Sequence, residues 1–403
     1  MRHTTISAKL AVALSFAISL PLASAQGHRV VIPASSVEHP EDVGVRVHTD
    51  LILNLQENGS APPPNAETPA SLACVYRLVK NRIKGCPIHG TTALPNAGVG
   101  AIAIVAAYDN PYAANDLQVF SNQFGLPAAN FQQVYADGHQ PKNDAGDWSL
   151  DEALDIEMAH AAAPNAMIFL VEAAANTWPD LMLAEDVAGK LVAANGGGVV
   201  SNSWTSSEFQ GESQFDSHFQ APGVVYIASS GDKGLGVGYP AVSPFVVGAG
   251  GTSLNRSASG NFKSETYWNG CNGGGGGGTS AVYTRPPYQN AIRKIVGDHR
   301  GSPDLSSDAS PCTGPAMYDA DGGYGWFQIG GTSVSAPYLA GIINGAGKLR
   351  KSSQAELAQL YSDYANPRNY RKEFRDVGSN LAHCKAGWDI CSGIGAPITY
   401  RGK

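Results

Sequence analysis

The 403-residue chain holds 27 Lys and Arg against 34 Asp and Glu, a net charge of −7, with no run of basic residues; an acidic chain of this kind makes a poor partner for nucleic acid or an anionic membrane. Charged residues make up only 15% of it, against roughly 25% in ordinary domains, and 47 glycines with 25 prolines imply many turns. Sparse carboxylates leave little to protonate, which softens acid denaturation.

Residues 1–25 read as a secretory signal: Arg2 and Lys9 give a positive start, "LAVALSFAISLPLA" is an apolar core, and Ala23-Ser24-Ala25 fits a cleavage site before Gln26. The core is shorter than the roughly 20 residues a membrane span needs, and no later stretch is apolar for that long. The expectation is a soluble, monomeric protein, secreted or periplasmic, whose charge becomes −9 once the two cations of the signal are removed. Six cysteines in an exported chain suggest three disulfides. Proximity favours Cys74–Cys86 and Cys384–Cys391, leaving Cys271–Cys312, among 15 possible pairings. With no C-x-x-C spacing, a metal site is the weaker alternative.

Residues 26–98 look irregular, with "SAPPPNAETPAS" as a linker and "SLACVYRLVKNRI" as one helical candidate. From Val99 the pattern changes, and 99–403 reads as one large domain. "VGAIAIVAAY" reads as a buried strand, "NDLQVFSNQFG" as a helix and "FQQVY" as a short strand. "WSLDEALDIEMAHAAA" and "WPDLMLAEDVAGKLVAAN" are helices on either side of the strand "AMIFLVEA". "GGVVSNSW", "GVVYIASSG" and "PFVVGAGGTSL" are further strands, with a helical candidate between the first two. "CNGGGGGGTS" belongs to a glycine-rich excursion, and the helices "SVSAPYLAGIINGAGKL" and "QAELAQLYSDYA" close the chain. Apolar strands alternating with helices predict an α/β fold, a parallel sheet covered on both faces.

"IGGTSVSAPYLAG" places Ser333 behind two glycines at the mouth of a helix, near the positive end of its dipole, with Pro337 close to the helix start. An isolated Thr-Ser there would serve as a plain cap; as a nucleophile Ser333 needs a base. His89 precedes the strand ending at Asp109, which breaks the Asp, His, Ser order of a subtilisin, and His139 lies in a loop. His160 stands nine residues from Asp151 and five from Asp155, about 180° and about 140° round a helix, and reads as a packing or surface histidine. Asp151 and Asp155 share one face a turn apart, where like charges repel and raise a carboxyl's pKa. A helix has no structural reason to prefer that pair.

Taken together, these segments, over roughly residues 67–400, resemble the sedolisin (serine-carboxyl) peptidases. The string G-T-S-x-S-x-P is similar to the nucleophile segment shared by subtilisins and sedolisins, which implies a subtilisin-like three-layer fold with Ser333 as nucleophile. "SLDEALDIEMAHAAAPNA" resembles the sedolisin helix in which a glutamate and, four residues on, an aspartate replace the histidine–aspartate pair. Asp155 matches that aspartate. The glutamate position falls on Asp151, one methylene shorter, about 1.5 Å of reach, with Glu152 as the alternative base. "YIASSGDKG" resembles the segment whose aspartate occupies the oxyanion hole, which assigns Asp232. Only a protonated acid can donate a hydrogen bond there, which implies acidic operation.

"FRDVGSNLAHCKAGWDICSGIGAP" is similar to the family's calcium loop. By that resemblance one structural calcium takes carboxylate oxygens from Asp376 and Asp389 and carbonyls from Val377, Lys385 and Gly387, although the family usually has glycine where Lys385 stands. Ser203-Trp204-Thr205 could receive a peptide as an added strand; Trp204 could equally be core. The resemblance implies a secreted endopeptidase acting on peptides or proteins at acidic pH. Two other readings remain open. One is a catalytically impaired secreted binding protein, motivated by Asp151 and by the shortness of 26–98 beside the family's large pro-domain. The other is a histidine-dependent subtilisin relative.

Overall fold

The computed structural model describes residues 1, 29–56, 59–144, 147–379 and 381–403; apart from Met1, the expected signal segment lies outside them. The chain opens with three short strands, β1 (Arg29–Val31), β2 (His48–Thr49) and β3 (Ile52–Leu55), and helix α1 (Pro69–Val75). Residues 26–98 were expected to be irregular, and here the structure differs. "VHTDLILNL" is extended because it finds partners: β3 lies between β1 and the strand Gly325–Gly330, antiparallel to both. Helix α1 begins at a reciprocal Thr68–Ser71 capping box with Pro69 at its first position. It stops at Val75, well short of the stretch the sequence suggested. Arg77 takes φ 55° and the Cys74–Cys86 disulfide folds the chain back.

The domain body follows as β4 (Ala101–Ala107), α2 (Ala113–Phe124), β5 (Asn130–Tyr135), α3 (Asp147–Ala162), β6 (Met167–Ala173) and α4 (Trp178–Ala194). Next come β7 (Gly198–Asn202), β8 (Trp204–Ser207), β9 (Val224–Ser229), β10 (Lys233–Leu235), β11 (Gly238–Tyr239), β12 (Val247–Arg256) and β13 (Phe262–Tyr267). After β14 (Asn269–Gly270), β15 (Gly273–Thr284), α5 (Arg293–Val296), β16 (His299–Ser302), β17 (Leu305–Asp308), β18 (Ala316–Asp319) and β19 (Gly325–Gly330) stands the helix α6 (Thr332–Gly345). Helices α7 (Ser353–Ala365) and α8 (Pro367–Glu373) follow it.

The central sheet runs β5-β6-β4-β7-β9-β12, all parallel; β12 continues parallel to β17 and antiparallel to β13. Strand β4, "AIAIVAA", is buried at every residue, as a strand covered on both faces must be. Helices α3 and α6 pack against each other over β4 and β7, while α4 lies against β4, β6 and β7. The architecture is therefore the α/β, three-layer, subtilisin-like one that the sequence predicted. The steps β5–α3–β6 and β6–α4–β7 advance in one direction across the sheet, yet α3 packs with α2 and α6 rather than with α4. The α3 crossover consequently has the opposite hand to its neighbours, against the usual right-handed rule, and this brings α3 beside α6.

The glycine-rich excursion is a strand, β15, parallel to β10 and antiparallel to β16. Its glycines reflect close backbone approach: a Cβ on Gly276 would stand 1.9 Å from the Ser230 carbonyl, and one on Gly277 1.9 Å from that of Ile390. The helical candidate after β8 is a 3-10 turn, Glu212–Phe219. The two disulfides favoured by proximity, Cys74–Cys86 and Cys384–Cys391, are formed with Cα–Cα distances of 5.4 and 5.5 Å, and the remaining pair, Cys271–Cys312, is joined at 6.1 Å. Among the described residues no helix is long and apolar enough to cross a membrane.

Helix α6 meets α3 at Gly341, where an added Cβ would lie 2.5 Å from Ala162 Cβ and 3.1 Å from the Ala159 carbonyl oxygen. Gly341→Val should therefore push the two helices apart, lowering the urea midpoint by an amount corresponding to about 1–3 kcal/mol; an unchanged midpoint would show that this spacing is not enforced there.

Candidate active site

Ser333 is the second residue of α6, follows the helix cap Gly331 (φ 110°), and is fully buried. Its hydroxyl donates to the Ser203 carbonyl (3.0 Å) and accepts the Asp50 N–H (3.2 Å). Pro337 was expected close to the helix start, but it sits inside α6, four residues after Ser333. Its missing N–H leaves the Ser333 carbonyl without a helical partner, and the Ser203 hydroxyl approaches that carbonyl at 3.4 Å.

Every described side chain of α3 from Trp148 to Ala162 is buried, so its acids are held in low dielectric. Asp151 faces Ser333 closely enough for the hydroxyl to favour its charged form, although neither carboxyl oxygen has a hydrogen-bond partner. Burial, and then repulsion from Asp155, hold the Asp151 carboxyl well above the usual range. Asp155 accepts the Ser203 hydroxyl at 2.7 Å, leaves its other oxygen unpaired, and is likewise raised by burial. Ser203 thus bridges the acid pair and the start of α6.

Glu152, the alternative base, turns elsewhere. Its carboxyl is raised by burial and by repulsion from Glu172, Asp144, Asp151 and Asp109, and Ser333 is not among the groups acting on it. It belongs with a second acidic group in which Glu172 accepts from the Asn110 N–H (3.0 Å) and from Gln133 (2.7 Å), with a pKa pushed up to about 8 by burial. A step of one residue rotates a helical side chain by about 100°, which separates the two neighbours' surroundings.

Asp232, just beyond the carboxyl end of β9, accepts the Thr332 N–H (2.7 Å) and hydroxyl (2.9 Å) through one oxygen. The other oxygen, unpaired, lies 2.7 Å from the point a Gly331 Cβ would occupy. Burial and then the Asp50 carboxyl raise its pKa. Sequence reasoning passed over Asp50. Its carbonyl lies 2.0 Å from the same point beside Gly331 and accepts the Ser333 N–H at 3.0 Å. The apolar alternation after Asp50 was the available signal, since it marks a strand that needs a partner.

His160 is buried, bonds the Pro127 carbonyl at 2.9 Å and has its pKa lowered by that burial; it packs the helix. His139 is exposed on its loop. Trp204 is core: its indole N–H donates to the Val105 carbonyl and its ring packs edge-on to Trp178. In the C-terminal loop Asp376 accepts the Gly387 N–H at 3.0 Å. Asp389 accepts the N–H groups of Cys391 and Ser392 through one oxygen and leaves the other unpaired. Its pKa is raised to about 6 by burial, with Asp376 contributing repulsion. Among the described residues no group of three or more His, Cys, Asp or Glu side chains could hold a metal alone, so backbone carbonyls such as those of Val377, Lys385 and Gly387 would have to complete any site.

No family model matches the sequence. Kumamolisin of Bacillus sp. strain MN-32 is 30% identical over 380 residues, covering 84% of this chain and 63% of that protein. Sedolisin of Pseudomonas sp. strain 101 is 27% identical, covering 89% of this chain and 66% of the relative. The chain thus spans just under two thirds of the length of these relatives. In three dimensions it is similar to Pseudomonas sedolisin, a serine-carboxyl proteinase, with a TM-score of 0.65 at 23% identity, covering 83% of this chain and 96% of the other.

The raised carboxyls set the sign of the pH dependence of stability. A carboxyl whose folded pKa exceeds its unfolded value contributes most below about pH 4, and that contribution is lost as pH rises through the folded pKa. Asp116 lies at about 6, Asp319 at about 7 and Glu172 at about 8. The melting temperature should therefore fall between pH 4 and pH 8, by at least about 5 °C; a melting temperature that rises over that range would contradict the buried protonated acids.

Proposed function

The chain belongs to the sedolisin family, and from that premise we propose that it is an exported serine-type endopeptidase that hydrolyses peptide bonds at acidic pH. The observation that carries this reading is the convergence of Ser333, Asp151 and Asp232 around one point at the head of α6, with Asp155 tied in through Ser203. The Ser333 hydroxyl hydrogen swings from the Ser203 carbonyl to the Asp151 carboxylate as the oxygen attacks the substrate carbonyl. Asp155 acts on Asp151 through its charge and raises its proton affinity, since two buried carboxyls one helical turn apart do not both ionise. The Ser333 N–H and protonated Asp232 receive the oxyanion. A proton on Asp232 requires acid conditions, while a proton permanently on Asp151 removes the base, so activity is bounded on both sides.

Residues 1–25 supply the export signal in this reading, and the substrates are peptides or proteins. The C-terminal loop fits a calcium ion: Asp376 and Asp389 bring two repelling carboxyls together, one Asp389 oxygen has no partner, and the Cys384–Cys391 disulfide pins the loop. Asp376, Asp389 and the carbonyls of Val377, Lys385 and Gly387 would hold the ion, whose charge offsets the repulsion.

Casein hydrolysis followed from pH 2 to 9 should peak below about pH 5 and vanish in Ser333→Ala. Asp151→Asn should lower kcat by at least about 100-fold and Asp232→Asn by about 100- to 1,000-fold, while Glu152→Gln changes it by no more than about fivefold. Ligand binding without turnover, unaltered in Ser333→Ala, would instead favour a secreted binding protein. For calcium, chelation should lower the melting temperature and added calcium restore it, by an amount corresponding to about 2.7 kcal/mol at a hundredfold excess over Kd; no effect of either treatment would remove the ion from the reading.

A further inference from the structure

The β18–β19 hairpin that leads to the nucleophile rests on α2 and α3 through acid side chains. Strand β18 is the outer strand of the sheet β1-β3-β19-β18, paired with β19 on one side, so the N–H groups along its free side need other acceptors. Two helices supply them as carboxyls: Glu157 of α3 accepts the Tyr318 N–H at 3.3 Å, and Asp116 of α2 accepts the Ala320 N–H at 3.2 Å. At the turn, Asp319 accepts the Gly322 N–H at 2.9 Å, while Asp321 accepts the Ser149 hydroxyl at 2.8 Å and the Asn143 amide at 3.1 Å. Ser149 stands two residues before Asp151 and Glu157 two after Asp155, so the hairpin grips α3 on both sides of the acid pair. From β19 the chain passes through Gly331 directly to Ser333.

Asp116, Glu157 and Asp319 are each fully buried, and the charges that weigh on them are one another's and that of Asp321. Like every other acid group among the described residues, they do not converge closely enough for three of them to hold a metal ion. Glu157 and Asp319 each accept a backbone N–H through one oxygen and leave the other without a partner. A proton on that free oxygen removes the charge while the paired oxygen goes on accepting; without it, like charges face one another across a dry interface. We infer that this acid group is a proton-held latch: under acid it ties the β18–β19 hairpin to α2 and α3, and towards neutral pH, as the protons leave, the hairpin parts from both helices. Burial pushes Asp116 up to about 6 and Asp319 to about 7, and holds Glu157 well above the usual range. Their contribution is therefore complete below about pH 4 and lost as pH rises through the folded values. Opening separates Trp326 from Phe120 and Phe124, whose rings it meets at 6.3 and 5.6 Å. The inner end of β19 stays paired with β3 at Gln328–Gly330, so the tip and the outer contacts of α3 are freed rather than the nucleophile.

Amide hydrogen exchange of the full chain, in its Ser333→Ala form so that no peptidase activity intervenes, is followed at pH 5 and pH 7.5 and corrected for the intrinsic pH dependence of exchange. Protection across residues 316–327 should fall by at least about tenfold between the two, since one buried acid contributes up to about tenfold per pH unit between its ordinary and its raised pKa. At pH 7.5 the hairpin should exchange at least about tenfold faster than β4, the mark of local rather than global opening. Asp116→Asn, Glu157→Gln and Asp319→Asn together keep an accepting oxygen at each position and cannot ionise, so this triple variant should hold the hairpin's protection within about threefold across the range. Asp319→Asn alone, the milder change, should already cut the fall by about threefold or more. A hairpin equally protected at the two pH values, or one that opens only together with β4, overturns the latch. So does a triple or single variant that keeps the parent's pH dependence. Each of these results leaves the peptidase reading standing, because none of them measures turnover.

Discussion

The close contact of α3 with α6 is the constraint on which the site depends. It exists because α3 crosses the sheet with the less common hand, and because Gly341 leaves no Cβ between the helices. A side chain there would hold the helices apart. Gly341, about two and a half turns into α6, faces Ala159 and Ala162 and so sets the spacing at that end of the contact.

That contact also creates an electrostatic problem that the protein answers with protons. Asp50, Asp151, Asp155 and Asp232 are buried around Ser333, and Lys233 is the cation acting on both Asp50 and Asp232. Four carboxylates in such a volume cannot all be ionised, because burial disfavours each charge and each charge disfavours the next. Hydroxyls and backbone N–H groups supply partial compensation at single oxygens, as at Asp155 and Asp232, while the second oxygen stays unpaired. The result is a cleft whose carboxyls hold their protons to higher pH than free ones do. The few carboxylates noted in the sequence matter less for pH behaviour than where they are buried.

Much of this was legible in the sequence. The apolar strands β4, β6, β7 and β9 announced a sheet covered on both faces, and the four-residue spacing of Asp151 and Asp155 announced an acid pair on one helical face. The choice between Asp151 and Glu152 was not legible, because it depends on which side of α3 meets α6, a fact of tertiary packing. The glycines of β15 read as a loop for a similar reason. Glycine usually marks turns, and only the approach of the Ser230 and Ile390 carbonyls shows that they make room for neighbouring backbone. The arm formed by β2 and β3 escaped notice because these strands are two and four residues long and are held to the domain by β8 and β19, some 150 and 270 residues away in the chain.

The arm ties these points together. Ser333 is fully buried, and the Asp50 backbone covers it while engaging it through both its N–H and its carbonyl. Strand β3 is anchored on both edges, by β1 and β19, whereas β2 holds β8 over only two residue pairs. Strain or solvent acting on this stretch would therefore release the weakly held His48–Thr49 side first and leave Leu51 onward in the sheet.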